Sequence, residues 1–364
     1  MGVYIVKRLA LMIPTLFGIM LVNFLIVQSA PGGPVDQAIA KLRGEDQMAT
    51  SRIGGSEGGL QSGGNLDAQN SAFESTRGID PSYIKDLEKQ FGFDKPAHER
   101  FFMMLRDYLS FEFGDSFYQD VAVVDLVKQR LPVSISLGLW TLLFVYTLSI
   151  PLGIAKAVRD GTPFDIWTSA IVFTGYAVPA FIVAILLIVF LSGGKFLDVF
   201  PLRGLVSDGW QEMDTFDKII DYLWHITLPI TALLFGAFAT LTLLTKNTFL
   251  EEINKQFVLT ARAKGLSERR VLYGHVFRNA MLIVIAGFPA AFVGILFTGS
   301  LLIEVVFSLN GLGLLGYEAA LTRDYPVLFG TLFVYTLIGL VMHLIGDITY
   351  MLVDPRIDFE SREV

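Results

Sequence analysis

The 364-residue chain contains no cysteine. That rules out a thiol enzyme, a disulfide scaffold and any Cys-ligated zinc or iron–sulfur centre. Charge is also scarce. Asp, Glu, Lys and Arg make up 17% of residues, against roughly 25% in an ordinary soluble domain. Basic residues are in the minority, 28 Lys and Arg to 35 Asp and Glu, for a net charge of −7. This balance disfavours a nucleic-acid binder. Histidine is limited to His98, His225, His275 and His343, and their spacing fits no metal motif. No G-x-x-x-x-G-K-[ST] occurs, and Gly193-Gly194-Lys195 lacks the Ser or Thr that would complete one. The chain is therefore not expected to hold ATP in a P-loop. No Ser/His/Asp arrangement is discernible either, so neither catalysis nor a bound cofactor is expected of this chain.

Apolar residues are abundant, at 53% of the chain, which excludes a disordered polyelectrolyte. About 20 consecutive apolar residues cross a bilayer core. Six stretches qualify: Leu9–Ala30, Pro132–Val158, Ile166–Ser192, Ile226–Thr245, Met281–Phe307 and Leu328–Leu352. Most carry no charge through their centres, and none shows the polar stripe of a soluble amphipathic helix. The expected class is an all-α polytopic membrane protein with six transmembrane helices. The first stretch exceeds the roughly 7–15 residues of a signal-peptide core, and Gln28 stands where a small residue is wanted, so an uncleaved helix is expected. Pro151, Pro179, Pro229 and Pro289 lie in or near these spans and can kink them. His225 beside Trp224 reads as an interfacial anchor.

Basic residues orient the spans. Flanks 1–8, 159–165, 246–280 and 353–364, with Lys156, hold thirteen Lys or Arg, and the opposite short flanks hold only Lys195, Arg203, Lys218 and Arg323. Both termini are thus expected in the cytoplasm and 31–131 outside. Four parts follow: 1–30, the first helix; 31–131, an outer lobe; 132–352, a five-helix core with an inner loop at 246–280; and 353–364, a cytoplasmic tail. Within the lobe, 44–78 holds eight glycines and five serines and reads as a flexible insert. Helical patterns follow it, first around Tyr83–Phe91 and then through Phe101, Phe102, Leu105, Tyr108 and Leu109. Capping the membrane part, touching substrate and docking a soluble partner all remain open for this small helical lobe.

The inner loop describes helix, sharp turn, helix. Thr248 to Lys264 has no Pro or Gly, Gly265 fits a helix C-terminus, and Ser267 with Glu268 fits the start of the next helix. Ala261 and Ala263 flank Arg262. Small side chains permit close approach, and the arginine can pair with an acidic partner. The other reading is a solvated basic loop beside anionic lipid.

Two acids fall inside apolar spans, where ionisable groups are costly. Glu304 is near the outer end of the fifth, and an interfacial seat and a pathway role are equally open. Asp347 is deeper in the sixth, four residues after His343 and so on the same helix face. A His–Asp pair there could be structural or line a path. Gly311-Leu-Gly313-Leu-Leu-Gly316 satisfies G-x-G-x-x-G but follows a membrane span rather than a strand. It reads as an outer turn, hinge or gate and not as a nucleotide site. Glu304, Asn310, Gly311, Gly313 and Asp347 are the candidate pathway or gate residues.

The stretch Leu259-Thr260-Ala261-Arg262-Ala263-Lys264-Gly265 resembles the coupling-loop motif of ABC importer permeases, Glu-Ala-Ala, three residues, Gly. Leu259 stands where the motif has Glu, and Phe277-Arg278 where Leu-Pro is usual downstream. This variant, with His275, Arg278 and Asn279, is similar to the dipeptide and oligopeptide branch. So are Ala30-Pro31-Gly32-Gly33-Pro34, Phe91-Gly92-Phe93-Asp94-Lys95-Pro96, Phe113-Gly114-Asp115-Ser116, Asn310-Gly311-Leu312-Gly313, Arg323-Asp324-Tyr325-Pro326 and Asp354-Pro355-Arg356-Ile357. Many branch members have Pro where Asn310 sits. The long insert most resembles that of the permease subunit of the peptide importer that also admits microcin C.

The resemblance implies an inner-membrane permease with the ABC importer permease fold. Leu259 to Gly265 would couple it to ABC ATPase subunits, which would hold ATP and Mg. A second homologous permease, a periplasmic peptide-binding protein, a peptide substrate and the lipid bilayer would be its partners, and nucleic acid would not. Two other classes stay open on the sequence. An ion-driven secondary transporter would want paired intramembrane acids or broken helices in repeated halves, and no clear internal repeat is visible. A membrane scaffold or receptor would leave the inner turn without purpose.

Overall fold

The computed structural model describes residues 2–29, 95–193, 196–294 and 301–353. The glycine-rich insert, the Tyr83–Phe91 pattern and the tail at 354–364 lie outside the described residues.

The first span is α1, Gly2–Ser29. The outer lobe contributes α2, Ala97–Leu109, whose Phe101 and Tyr108 are buried. Next comes α3, Val123–Val158, which begins well before the Pro132 expected to open it. The helix tolerates that proline because the carbonyl it leaves unbonded belongs to Lys128, an exposed residue near the helix start.

The stretch read as one span at Ile166–Ser192 is two helices, α4 (Pro163–Ala177) and α5 (Ala180–Leu191), bent by 92°. Pro179 has no N–H to continue α4 and pushes Val178 into an extended conformation, φ −91° and ψ 120°. Helix α6, Thr215–Ile253, outruns its apolar segment at both ends. Two short helices follow, α7 (Gln256–Ala263) and α8 (Glu268–Val271). A π-helical turn, Leu272–Val276, leads into α9 (Phe277–Ala286).

Of the fifth span, expected over Met281–Phe307, the part up to Gly294 belongs to one candidate span, Glu268–Gly294, and 295–300 lie outside the described residues. After α9 come α10 (Phe288–Gly294), with Pro289 in its first turn, and, past residues outside the description, α11 (Leu301–Val306). Then follow α12 (Leu312–Thr322) and α13 (Tyr325–Val353). Among the described residues, five helices are long and apolar enough to cross a membrane, or six when α4 and α5 count as one bent span. The class is therefore all-α and polytopic.

Three buried clusters hold the bundle together. An outer one joins α1, α2, the start of α3 and α13 through aromatic edges, with Phe101 5.4 Å from Phe24 and Tyr108 5.7 Å from Phe333. A second joins α3, α5, α6 and α11. The third, at the opposite end from the aromatic one, packs α3 and α6 against α7, α8 and α9. Ile13, Trp167 and Ile171 are exposed on the outside of the bundle, the pattern of a surface that meets lipid rather than water.

Candidate functional site

The inner turn is built from α7 and α8. Lys264 accommodates the end of α7, and Gly265 follows at φ +78°. A side chain with a Cβ is strained in this left-handed conformation, which is why glycine closes the helix. The Gly265 N–H donates to the Arg262 carbonyl (2.9 Å) and the Leu266 N–H to that of Ala261 (3.3 Å), the wrapped hydrogen bonding of a glycine-terminated helix. Ser267 occupies the position before α8, where its carbonyl accepts from Arg270 and Val271, but its side chain makes no capping bond.

Burial splits the seven candidate coupling residues. Ala261 points inward with Val258, against Phe249, Ala157 and Val271. Leu259, Thr260, Arg262, Ala263, Lys264 and Gly265 are exposed. Leu259, midway along α7, is 60% exposed, an apolar side chain presented outward. The small residue at 261 thus serves packing within this chain. Arg262 also finds its acid here: its Nε and Nη2 donate to Glu268 Oε1 and Oε2 at 2.8 and 3.0 Å, a two-pronged pair that pins α7 to α8 across the turn. At the start of α7, Lys255 bonds Glu252 and lies 3.4 Å from Glu251, and the hydrogen bond to Glu252 is the main reason its ammonium is held above the ordinary lysine range.

At the opposite end, Glu304 is completely buried within the bundle. Its Oε2 accepts the Leu314 N–H at 2.7 Å. Its Oε1 accepts from Ser134 Oγ at 3.4 Å, and Ser134 Oγ in turn accepts the Leu312 N–H at 2.8 Å. The carboxylate thus sits at the N-terminus of α12, where unpaired N–H groups and the helix dipole favour an anion. Gly311 is buried against it: a Cβ there would overlap the Glu304 carboxyl group. In the G-x-G-x-x-G stretch, then, this chain's own carboxylate stands where a nucleotide phosphate would. Asn310 is exposed and Gly313 half-buried at the rim of the joint.

Asp347 does not pair with His343. It faces α1, where Arg8 Nε approaches its Oδ2 at 3.1 Å. Two further polar contacts were not apparent from the sequence. Asp324 is buried and accepts from Ser116 Oγ at 2.5 Å and from the Phe117 N–H at 3.3 Å. It joins two of the outer motifs across 208 positions. Near the inner end, Asp165 lies between Lys156 and Lys246. Neither partnership has a local signal, because the residues meet only once the spans have packed.

Residues 149–359 match the family model described as binding-protein-dependent transport system inner membrane component. This chain belongs to that family. As a member, the permease is a multi-pass inner-membrane component of a transport system, and the exposed turn at 259–265 lies within the matched region. The permease is 59% identical over 364 residues, all of both chains, to the peptidoglycan transport system permease protein YejB of Agrobacterium fabrum. It is 58% identical over 367 residues, again all of both, to the inner membrane ABC transporter permease protein YejB of Escherichia coli O157:H7. The oligopeptide transport system permease protein AppB of Bacillus subtilis is 30% identical over 367 residues, covering 99% of the permease and 100% of AppB.

Proposed function

We propose that the chain is the permease subunit of an ATP-driven importer of short peptides, working by alternating access. A periplasmic binding protein delivers the peptide, and the chain and a second, homologous permease enclose the path. ATP binding and hydrolysis in separate ABC ATPase subunits move the inner turn. The observation that carries this reading is the turn at Leu259–Gly265. Gly265 closes it at φ +78°, and the Arg262–Glu268 pair bridges its two helices. It is exposed at the tip, and its root is packed through Val258 and Ala261 into the core. A load applied there passes into α3 and α6.

The cargo class rests on the relatives. The AppB match names oligopeptides, and the relative at 59% identity names peptidoglycan. Peptides released from peptidoglycan satisfy both names, and peptide antibiotics such as microcin C would use the same path. Both chain ends and the inner turn face the cytoplasm in this reading, in keeping with the bias of Lys and Arg.

The test is co-purification of the tagged chain from a bacterial membrane, followed by reconstitution with its binding protein in liposomes. ATPase subunits should co-purify, and ATP hydrolysis should rise on addition of loaded binding protein. Stimulation by a peptidoglycan tetrapeptide but not by unrelated peptides of equal length narrows the cargo. A chain that purifies without ATPases and drives uptake from an ion gradient overturns the reading.

A further inference from the structure

Lys156, on α3, has no exposed surface at all. Its ammonium donates to the Asp165 carbonyl (2.9 Å), Thr168 Oγ1 (2.9 Å) and Ser169 Oγ (2.6 Å), and lies 2.9 Å from Asp165 Oδ1. The other carboxylate oxygen of Asp165 accepts from Lys246 Nζ, on α6, at 2.7 Å and from the Gly161 N–H at 3.2 Å. Lys246 also reaches Asp160 Oδ1 at 2.8 Å. Two lysines and two aspartates thus close a neutral cluster that ties the first turn of α4 to α3 and α6.

Such a cluster is an inefficient way to gain stability. Desolvating the charges costs as much as their attraction returns, and apolar residues of the same volume serve as well or better. What an ionic joint adds is geometry: a planar carboxylate between two ammonium groups fixes both distance and orientation. Its position gives that geometry a use. Ala157 follows Lys156 directly, and Phe249 is three residues, nearly one helical turn, beyond Lys246. Both belong to the buried cluster that receives Val258 and Ala261 from the inner turn. Close-packed interiors transmit displacement instead of absorbing it.

We infer that Lys156, Asp165, Lys246 and Asp160 form the joint that carries movement of the 256–268 turn into α4. They are positioning residues for coupling, and the inference rests on the coupling role proposed above. It makes α4 and the inner turn one rigid body, which leaves the 92° break at Val178-Pro179 as the place where α4 and α5 can change their angle.

The absence of native cysteine permits a direct test on the assembled importer. Spin labels on a Thr162→Cys, Gln256→Cys pair, both exposed positions, report the distance from the start of α4 to the start of α7. That distance should stay within about 2 Å between nucleotide-free and ATP-trapped states, and a change above about 5 Å overturns the joint. In a second arm, Lys156→Met with Asp165→Leu removes one charge pair at nearly constant volume. This variant should insert and hold its ATPases, lose peptide uptake by about tenfold, and let the label distance vary with nucleotide. Uptake within about twofold of wild type would show that the cluster only holds the fold. The distance measurement leaves the joint intact, so it decides the matter even where the paired variant fails to insert. An unmodified assembly whose ATP hydrolysis ignores loaded binding protein overturns the importer reading instead, and the label distance still reports on the joint.

Discussion

Two glycines set the chemistry of the two ends. Gly265 is held at φ +78° by hydrogen bonds on either side of it. Gly265→Val places a β-branched residue where the left-handed region costs about 1–2 kcal/mol even for ordinary side chains. The chain should still insert, and stimulation of ATP hydrolysis by loaded binding protein should be lost. Stimulation at the wild-type level would refute a role for the turn in coupling. Gly311 is constrained by space instead. Gly311→Ala drives a methyl into the Glu304 carboxyl group, so thermal melting in detergent should report a loss of about 1–3 kcal/mol. Truncating the acid as well, in Gly311→Ala with Glu304→Asp, should recover part of it. The sequence identified both glycines, one as a helix end and one in a turn. It could not show why Gly311 is a glycine, because the obstructing carboxylate comes from another helix.

At the level of elements, the sequence disclosed spans more clearly than their interruptions. Hydropathy located all six apolar stretches, since crossing a bilayer demands length and composition alone. It missed that Ile166–Ser192 turns through 92°, because an apolar residue is equally acceptable in a straight and a bent span. Pro179 and Pro289 were visible as candidate kinks, but their angles depend on what packs around them. Polar pairings between elements were also hidden. The His343–Asp347 spacing suggested a pair within one helix, yet Arg8 on α1 takes the aspartate. The Ser116–Asp324 bond fastens the outer lobe to the residue just before α13 in the same way. Asp324→Ala leaves the buried Ser116 hydroxyl without that acceptor and should cost about 1–3 kcal/mol. Protease cleavage between α2 and α3 should quicken before the membrane core melts. Cleavage and melting that shift together would mean the lobe and core are a single unit.

For the whole molecule, the alternation of spans puts Arg8, Asp347, the Lys156 cluster and the inner turn at one end, and Ser116, Asp324 and Glu304 at the other. Which end faces the cytoplasm can be read with single cysteines in a chain that has none of its own. A membrane-impermeant maleimide should label the Gln119→Cys variant in intact spheroplasts and the Thr162→Cys variant only after lysis. The reverse pattern would invert the molecule and remove the inner turn from the reach of any cytoplasmic ATPase.

The contact between α1 and α13 also imposes an order on biosynthesis. Arg8, on α1, has its partner Asp347 on α13, which leaves the ribosome much later. At about 5–20 residues per second, tens of seconds separate the two. Throughout that interval α1 has α2 to pack on, through Phe24 and Phe101, but not α13. A nascent chain stopped short of α13 therefore leaves bare the face of α1 that α13 covers, a ready mark by which membrane quality control could distinguish a permease whose α13 is missing.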